Sequence, residues 1–190
     1  MKVIPRDFYQ KDTVEVAKKL LGKRIVRKIG NKEMSVIITE TEAYKHKDDP
    51  ASHAFRRITE RNKVMFGDVG ISYVYFTYGM HYCFNIVAKN PKNKAGAVLI
   101  RAAKPEKGID EMLKNRNIKN LSKISDGPAK LAQALNITKK DYGLDLTKQA
   151  NLFIAEGVKD IGKISSFPRI GIKQATERLW NFRITIQDEF

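Results

Sequence analysis

The sequence predicts a single-domain α+β fold, residues 1–190, with a curved, mostly antiparallel sheet. Three observations lead there. Strand-like and helix-like segments are mixed without the regular βαβ alternation that marks a parallel sheet. Two aromatic, β-branched segments, 71–78 and 81–88, flank Gly79 and read as a protruding hairpin. The 190 residues match the roughly 100–200 typical of one domain and suffice for a core without crosslinks.

The elements follow in chain order. Residues 12–21 carry an apolar stripe (Val14, Ala17, Leu20, Leu21) at helical spacing. Asp12 and Glu15 stand at capping-box positions, and Gly22 ends the helix. Strands are expected at 24–29 and 34–43, joined by a Gly30-Asn31 turn. Residues 45–70 are polar and irregular, and a loop of that length is usually functional or disordered. After the hairpin come a strand at 95–103 and helices at 106–116 and 128–135, the last opening on Pro128. Short strands are expected near 151–155, 168–172 and 182–187.

Charge narrows the partner. Thirty-six Lys and Arg face 21 Asp and Glu, for a formal charge of +15. Such a field attracts polyanions, nucleic acid first among them, although a lysine-rich surface that is merely solvated fits the count as well. One group is Arg56, Arg57, Arg61 and Lys63; another spans 89–123. No apolar run approaches the ~18 residues of a membrane span. The N-terminus lacks the apolar stretch of a secretory signal. Cys83 is the single cysteine, which excludes an internal disulfide framework and fits a reducing cytoplasm. The histidines and Cys83 show no metal-ligand spacing.

Three patterns carry chemistry. On the strand at 34–44, alternation puts Val36, Ile38, Glu40, Glu42 and Tyr44 on one face. Carboxylates on a face that starts in the core suggest a cleft; a strand end emerging into solvent gives the same pattern. In the hairpin, the first strand puts Tyr73, Tyr75 and Thr77 on one face and Val74, Phe76 and Tyr78 on the other; the second puts Cys83 and Asn85 on one face and Tyr82, Phe84 and Ile86 on the other. Tyr78 stands at the tip, where an aromatic can stack on or wedge between bases or simply complete a turn. Arg101, inside AVLIRAA, needs a partner such as Glu42 or a phosphate. Gly127-Pro128 with Lys130 suits either a phosphate site or a plain helix cap.

Together these segments resemble the alkyladenine (3-methyladenine) DNA glycosylase family in its short bacterial form. The matching pieces are LLGK (20–23), TETEAY (39–44), SHAF around His53, RN..MF (61–66), YVYFTYGMHYCFNI (73–86), VLIRAA (98–103), GPAKLAQAL (127–135) and RIG (169–171), all in family order. The resemblance implies a fold like a formyltransferase C-terminal domain. It implies a cofactor-free, metal-free monofunctional enzyme that flips damaged purines out of double-stranded DNA and hydrolyses them from the sugar. A monomer, cytoplasmic and associated with the nucleoid through DNA, is expected.

The resemblance also assigns residues. Glu42 is implied as the general base and Arg101 as its partner in holding water. Tyr44, His53 and Tyr75 are implied as the base-pocket walls, Asn85 as the gate against guanine, and Tyr78 as the intercalating residue. Lys130 and Arg169 are expected on the DNA backbone. Two positions depart from the family pattern, Glu60 and Val69, where prolines are usual. Rival readings are a non-enzymatic DNA-kinking protein, an RNA-binding domain, and a lyase acting through a lysine.

Overall fold

The structure, a computed structural model, describes residues 1–186. These residues form a single-domain α+β fold with a curled antiparallel sheet and three α-helices. Helix α1 (Thr13–Leu20) is capped by Asp12, whose carboxylate accepts from the Val14 N–H at 2.9 Å. Glu15 does not close the expected box; it pairs with Lys19 one turn on, at 2.7 Å. Val16 joins Ala17, Leu20 and Leu21 in the buried stripe, while Val14 is only partly buried. Gly22 ends the helix at φ 78, against Ile161, which a Cβ there would meet at 2.3 Å.

Strands β1 (Arg24–Ile29) and β2 (Lys32–Lys45) form the expected hairpin about Gly30-Asn31. β3 (Ser72–Thr77) and β4 (His81–Val87) form the second. With β5 (Gly96–Lys107), β6 (Leu152–Ala155), β7 (Ser165–Phe167) and β8 (Asn181–Arg183) they make one sheet, ordered β3-β4-β5-β2-β1-β6. β8 pairs with the second half of β2 and with β7. The fourteen residues of β2 therefore serve two neighbours on one edge, β1 first and β8 later.

Four elements depart from expectation by more than two residues. The strand expected over 95–103 runs on to Lys107, because its ladder with β2 continues to Ser35. Helix α2 (Ile109–Arg116) accordingly starts later than 106, after Gly108 at φ 73. Residues 168–172 form a turn, not a strand: the ladder lies one step earlier, at 165–167. β8 ends at Arg183, short of the expected 182–187, whose last residue lies outside the described residues. Helix α3 (Pro128–Ala134) opens on Pro128 as expected.

Burial separates two regions. Val16 and Leu20 of α1, Met112 of α2 and Leu131 of α3 pack with Val36, Ile38, Phe84, Ile86, Val98 and Ile100 in the main core. A smaller cluster, Ala54, Met65, Tyr73, Val87 and Ala97, seats the long segment 45–70 against the sheet. Asn62 holds that segment in shape. Its Oδ1 accepts from the Thr59 N–H at 2.7 Å, and its Nδ2 donates to the carbonyls of His53 at 2.7 Å and Arg57 at 2.9 Å. The two departures from the family pattern leave these tethers alone. Glu60 faces solvent and pairs with Lys63, and Val69 is buried in the main core.

Asn62 is 2% exposed, so removing its side chain strands buried polar groups at ~1–3 kcal/mol each. Asn62→Ala is expected to cost about 3 kcal/mol and to lower Tm by about 6–12 °C. Thermal unfolding followed by circular dichroism checks this.

Candidate active site

The site begins with an irregularity in β2. The β2–β5 ladder shifts register between Ile38 and Glu40, and again between Glu40 and Thr41. A bulge of this kind re-aims the residues beyond it. Val36 and Ile38 point into the main core, but so does Ala43, and the Thr41 hydroxyl donates to the Ala17 carbonyl of α1 at 2.8 Å. Glu40, Glu42 and Tyr44 thus lie on the face away from α1. The expected single face running from Val36 through Tyr44 is corrected: the bulge divides it.

Glu42 is fully buried, and donors converge on it. Its Oε1 accepts from the Ile170 N–H at 2.8 Å and from Asn181 Nδ2 at 2.9 Å. Its Oε2 accepts from the Tyr44 hydroxyl at 2.8 Å, with an Arg101 terminal nitrogen 3.6 Å away. Such donors offset the cost of burying a carboxylate. Arg101 makes its closer contact with Glu40, at 3.1 Å. Asn181 joins the two glutamates, donating to Glu40 at 2.7 Å as well, and Arg183 flanks Glu40 at 3.2 Å.

Beside this network opens a cavity of about 270 Å³. Tyr44, Arg101 and Ile170, which surround Glu42, form one part of its wall; His53, Tyr73, Tyr75 and Asn85 form another. The hairpin alternation holds: Tyr73, Tyr75, Thr77, Cys83 and Asn85 face the cavity, while Val74, Phe84 and Ile86 face the core. Asn85 is buried, and its Nδ2 donates to the Tyr73 carbonyl at 3.0 Å. The His53 and Tyr75 rings meet edge to face with centroids 4.7 Å apart, and His53 Nδ1 lies 2.8 Å from the Tyr73 hydroxyl. His53 keeps exposed surface, yet the protein packed around its ring desolvates it. That burial, with a smaller push from Arg61, lowers its pKa to about 4. His53 is therefore a neutral ring at physiological pH.

Tyr78 stands at the hairpin tip, 86% exposed, beside this cavity. Its φ is 50°, followed by Gly79 at 68°. A left-handed tyrosine is uncommon, and such strain gathers at functional sites.

The structure brings Glu42, Arg101, Tyr44, His53, Tyr75, Asn85 and Tyr78 together. Neither Lys130 nor Arg169 lines this cavity. Lys130 pairs with Asp126 at 2.8 Å near the start of α3. Arg169 requires a correction, because its side chain has no accessible surface. It makes a bidentate pair with Asp49, both bonds 2.7 Å, and donates to the Ala43 carbonyl at 2.9 Å. Its guanidinium stacks between Tyr44 at 4.7 Å and Trp180 at 5.1 Å. A phosphate cannot reach it in this arrangement. Reading the sequence did not single out Asn181, Asp49 or the role of Glu40. Asn181 carried no local signal; Glu40 was marked only by sharing a motif with Glu42.

Comparisons with known proteins agree on one relationship. A family model described as Methylpurine-DNA glycosylase (MPG) matches residues 7–188. A protein of Carboxydothermus hydrogenoformans named "Putative 3-methyladenine DNA glycosylase" is 50% identical over 155 residues, covering 82% of this chain and 80% of its own length. Proteins of the same name from Methanocella arvoryzae and Francisella tularensis subsp. tularensis are 42% and 44% identical. They cover 96% and 90% of this chain, and 92% and 90% of their own lengths.

The burial of Arg169 has a measurable consequence. Asp49→Ala leaves its guanidinium without a carboxylate and is expected to cost ~3–5 kcal/mol, seen as a lower midpoint in urea unfolding. Arg169→Gln is expected to keep the wild-type salt slope of DNA binding; a slope reduced by about 0.9 would reveal a lost phosphate contact.

Proposed function

From membership of the methylpurine-DNA glycosylase family, to which this chain belongs, we propose that it hydrolyses alkylated or otherwise damaged purines from duplex DNA and leaves an abasic site. Its class as a DNA N-glycosylase follows from the family and its relatives. The finer reading concerns mechanism and substrate. Glu42 carries it: a fully buried carboxylate held by donors from three segments, at the edge of an aromatic cavity.

The two oxygens of that carboxylate are not equivalent. Oε1 is occupied by Ile170 and Asn181, whereas Oε2 has one close donor, Tyr44. The attacking water belongs against Oε2, between Tyr44 and Arg101. Glu42 takes its proton as the oxygen bonds to the sugar C1′ and the C1′–N bond breaks. The purine leaves with that electron pair. A cationic alkylated purine leaves neutral; a neutral lesion leaves as an anion unless it is protonated. Positive charge developing on the sugar is stabilised by the same carboxylate. No lysine adduct forms, so the enzyme is monofunctional.

The flipped base stacks among Tyr44, His53 and Tyr75. Neutral His53 offers a π-surface without a competing charge. Asn85 acts as a gate against the 2-amino group of guanine. Flipping costs a few kcal/mol, and Tyr78 offsets this by filling the vacated space. The accessible surface of Tyr78 leaves the ring free to enter a base stack.

Glu42→Gln is expected to slow release of 7-methylguanine from a duplex by at least about 10²-fold, while affinity for that duplex stays within a few-fold. Unchanged release would remove Glu42 from the mechanism. Tyr78→Ala is expected to weaken binding to a damaged duplex by about tenfold, the scale of one stacking contact, and to affect single strands much less. Equal losses on both would count against the wedge.

A further inference from the structure

The cavity has a charge imbalance that its catalytic groups do not explain. Its wall includes two charged side chains, Arg61 and Arg101. Arg101 is matched by Glu40 at 3.1 Å and Glu42 at 3.6 Å, with Arg183 at 3.2 Å from Glu40. Two guanidiniums thus face two carboxylates. The Asp49–Arg169 pair behind them also cancels. Arg61 has no ion-pair partner among the described residues, and its guanidinium carbon lies 4.8 Å from the centroid of the Tyr75 ring. One positive charge therefore remains on the wall, placed against an aromatic expected to stack on the base.

We propose that Arg61 is a specificity-determining residue that biases the cavity against cationic bases and toward neutral ones. This rests on the reading of the cavity as the base-excision site. Two effects act in the same direction. An aromatic face already serving one cation is a poorer partner for a second, and like charges repel directly. A neutral lesion gains instead, because its leaving group becomes anionic as the C1′–N bond breaks, and a fixed positive charge stabilises it. At roughly 8 Å and an effective dielectric of about 30, between that of a protein surface and that of water, one unit charge changes a relative rate by on the order of tenfold.

The test compares wild type, Arg61→Gln and Arg61→Lys on duplexes carrying 7-methylguanine (cationic) or hypoxanthine (neutral). Single-turnover rates and affinities give a cationic-to-neutral ratio for each protein. Arg61→Gln is expected to raise this ratio by on the order of tenfold, and Arg61→Lys, which keeps the charge, to hold it within about threefold. The His53 titration, followed by NMR, should move upward from about 4 in Arg61→Gln, because a nearby positive charge is removed. Wild-type thermal unfolding would show that the exposed side chain was changed without loss of fold. A ratio unchanged in Arg61→Gln, or moved equally by Arg61→Lys, overturns the proposal. If the wild type releases neither base, the excision reading itself fails. The charge bias is then read from binding of 7-methylguanosine and inosine at pH 6. Tighter binding of the cationic nucleoside alone in Arg61→Gln supports the bias, and no difference overturns it.

Discussion

A carboxylate with no accessible surface is the constraint around which this molecule is arranged. Left unpaired, the charge of Glu42 would cost several kcal/mol in a protein interior. Its donors come from places far apart in the sequence: Tyr44 on the same strand, the Ile170 N–H from the turn after β7, and Asn181 from β8. The sheet has to bring them together. β2 does so by pairing with β1 through Ile37 and with β8 at Glu40–Glu42. The bulge lies where one neighbour gives way to the other, between Ile38 and Thr41. Without that shift the two glutamates would point toward α1.

The second buried ion pair supports the first. Asp49 comes from the long segment after β2, and Arg169 from the turn that supplies the Ile170 N–H. Arg169 also bonds the Ala43 carbonyl and lies against Tyr44. Its position therefore constrains both the donor to Glu42 and the phenol on the other carboxylate oxygen. A pair of this kind contributes little net stability against an apolar alternative. Its stronger effect is geometric, since it ties 45–70 and 168–172 to the strand bearing the carboxylate.

Much of this arrangement was legible in the sequence, and the division follows the range of the interactions. The hairpin was readable because alternation is local: Tyr75 and Asn85 face the cavity, and Val74 and Phe84 the core. The same rule failed on β2, because a bulge depends on its partners in β5 and β8, about sixty and a hundred and forty residues away. Arg169 misled for a related reason. An arginine in a basic chain suggests phosphate until its carboxylate is seen, and Asp49 lies 120 residues earlier. The strand expected at 168–172 is a turn because its residues bond to Asp49 and Glu42 instead of to a ladder.

The two halves of the site are held in opposite ways. Glu42, Tyr44, Arg101 and Asn85 are held by hydrogen bonds or ion pairs within the protein, whereas Tyr78 is 86% exposed in a strained turn. The general-base role proposed for Glu42 needs preorganised donors, because reorganising them during reaction would raise the barrier. Tyr78, in the wedge role proposed for it, has the opposite requirement. It must leave solvent and enter a stack, and contacts within its own domain would oppose that transfer. The left-handed backbone at Tyr78 and Gly79 holds the ring clear of the domain at a cost of ~1–3 kcal/mol, offset by the rest of the fold. Arg61 lines the same cavity, against the Tyr75 ring and without an ion-pair partner among the described residues. A charge left uncancelled there acts, under the proposed function, on any base stacked against Tyr75.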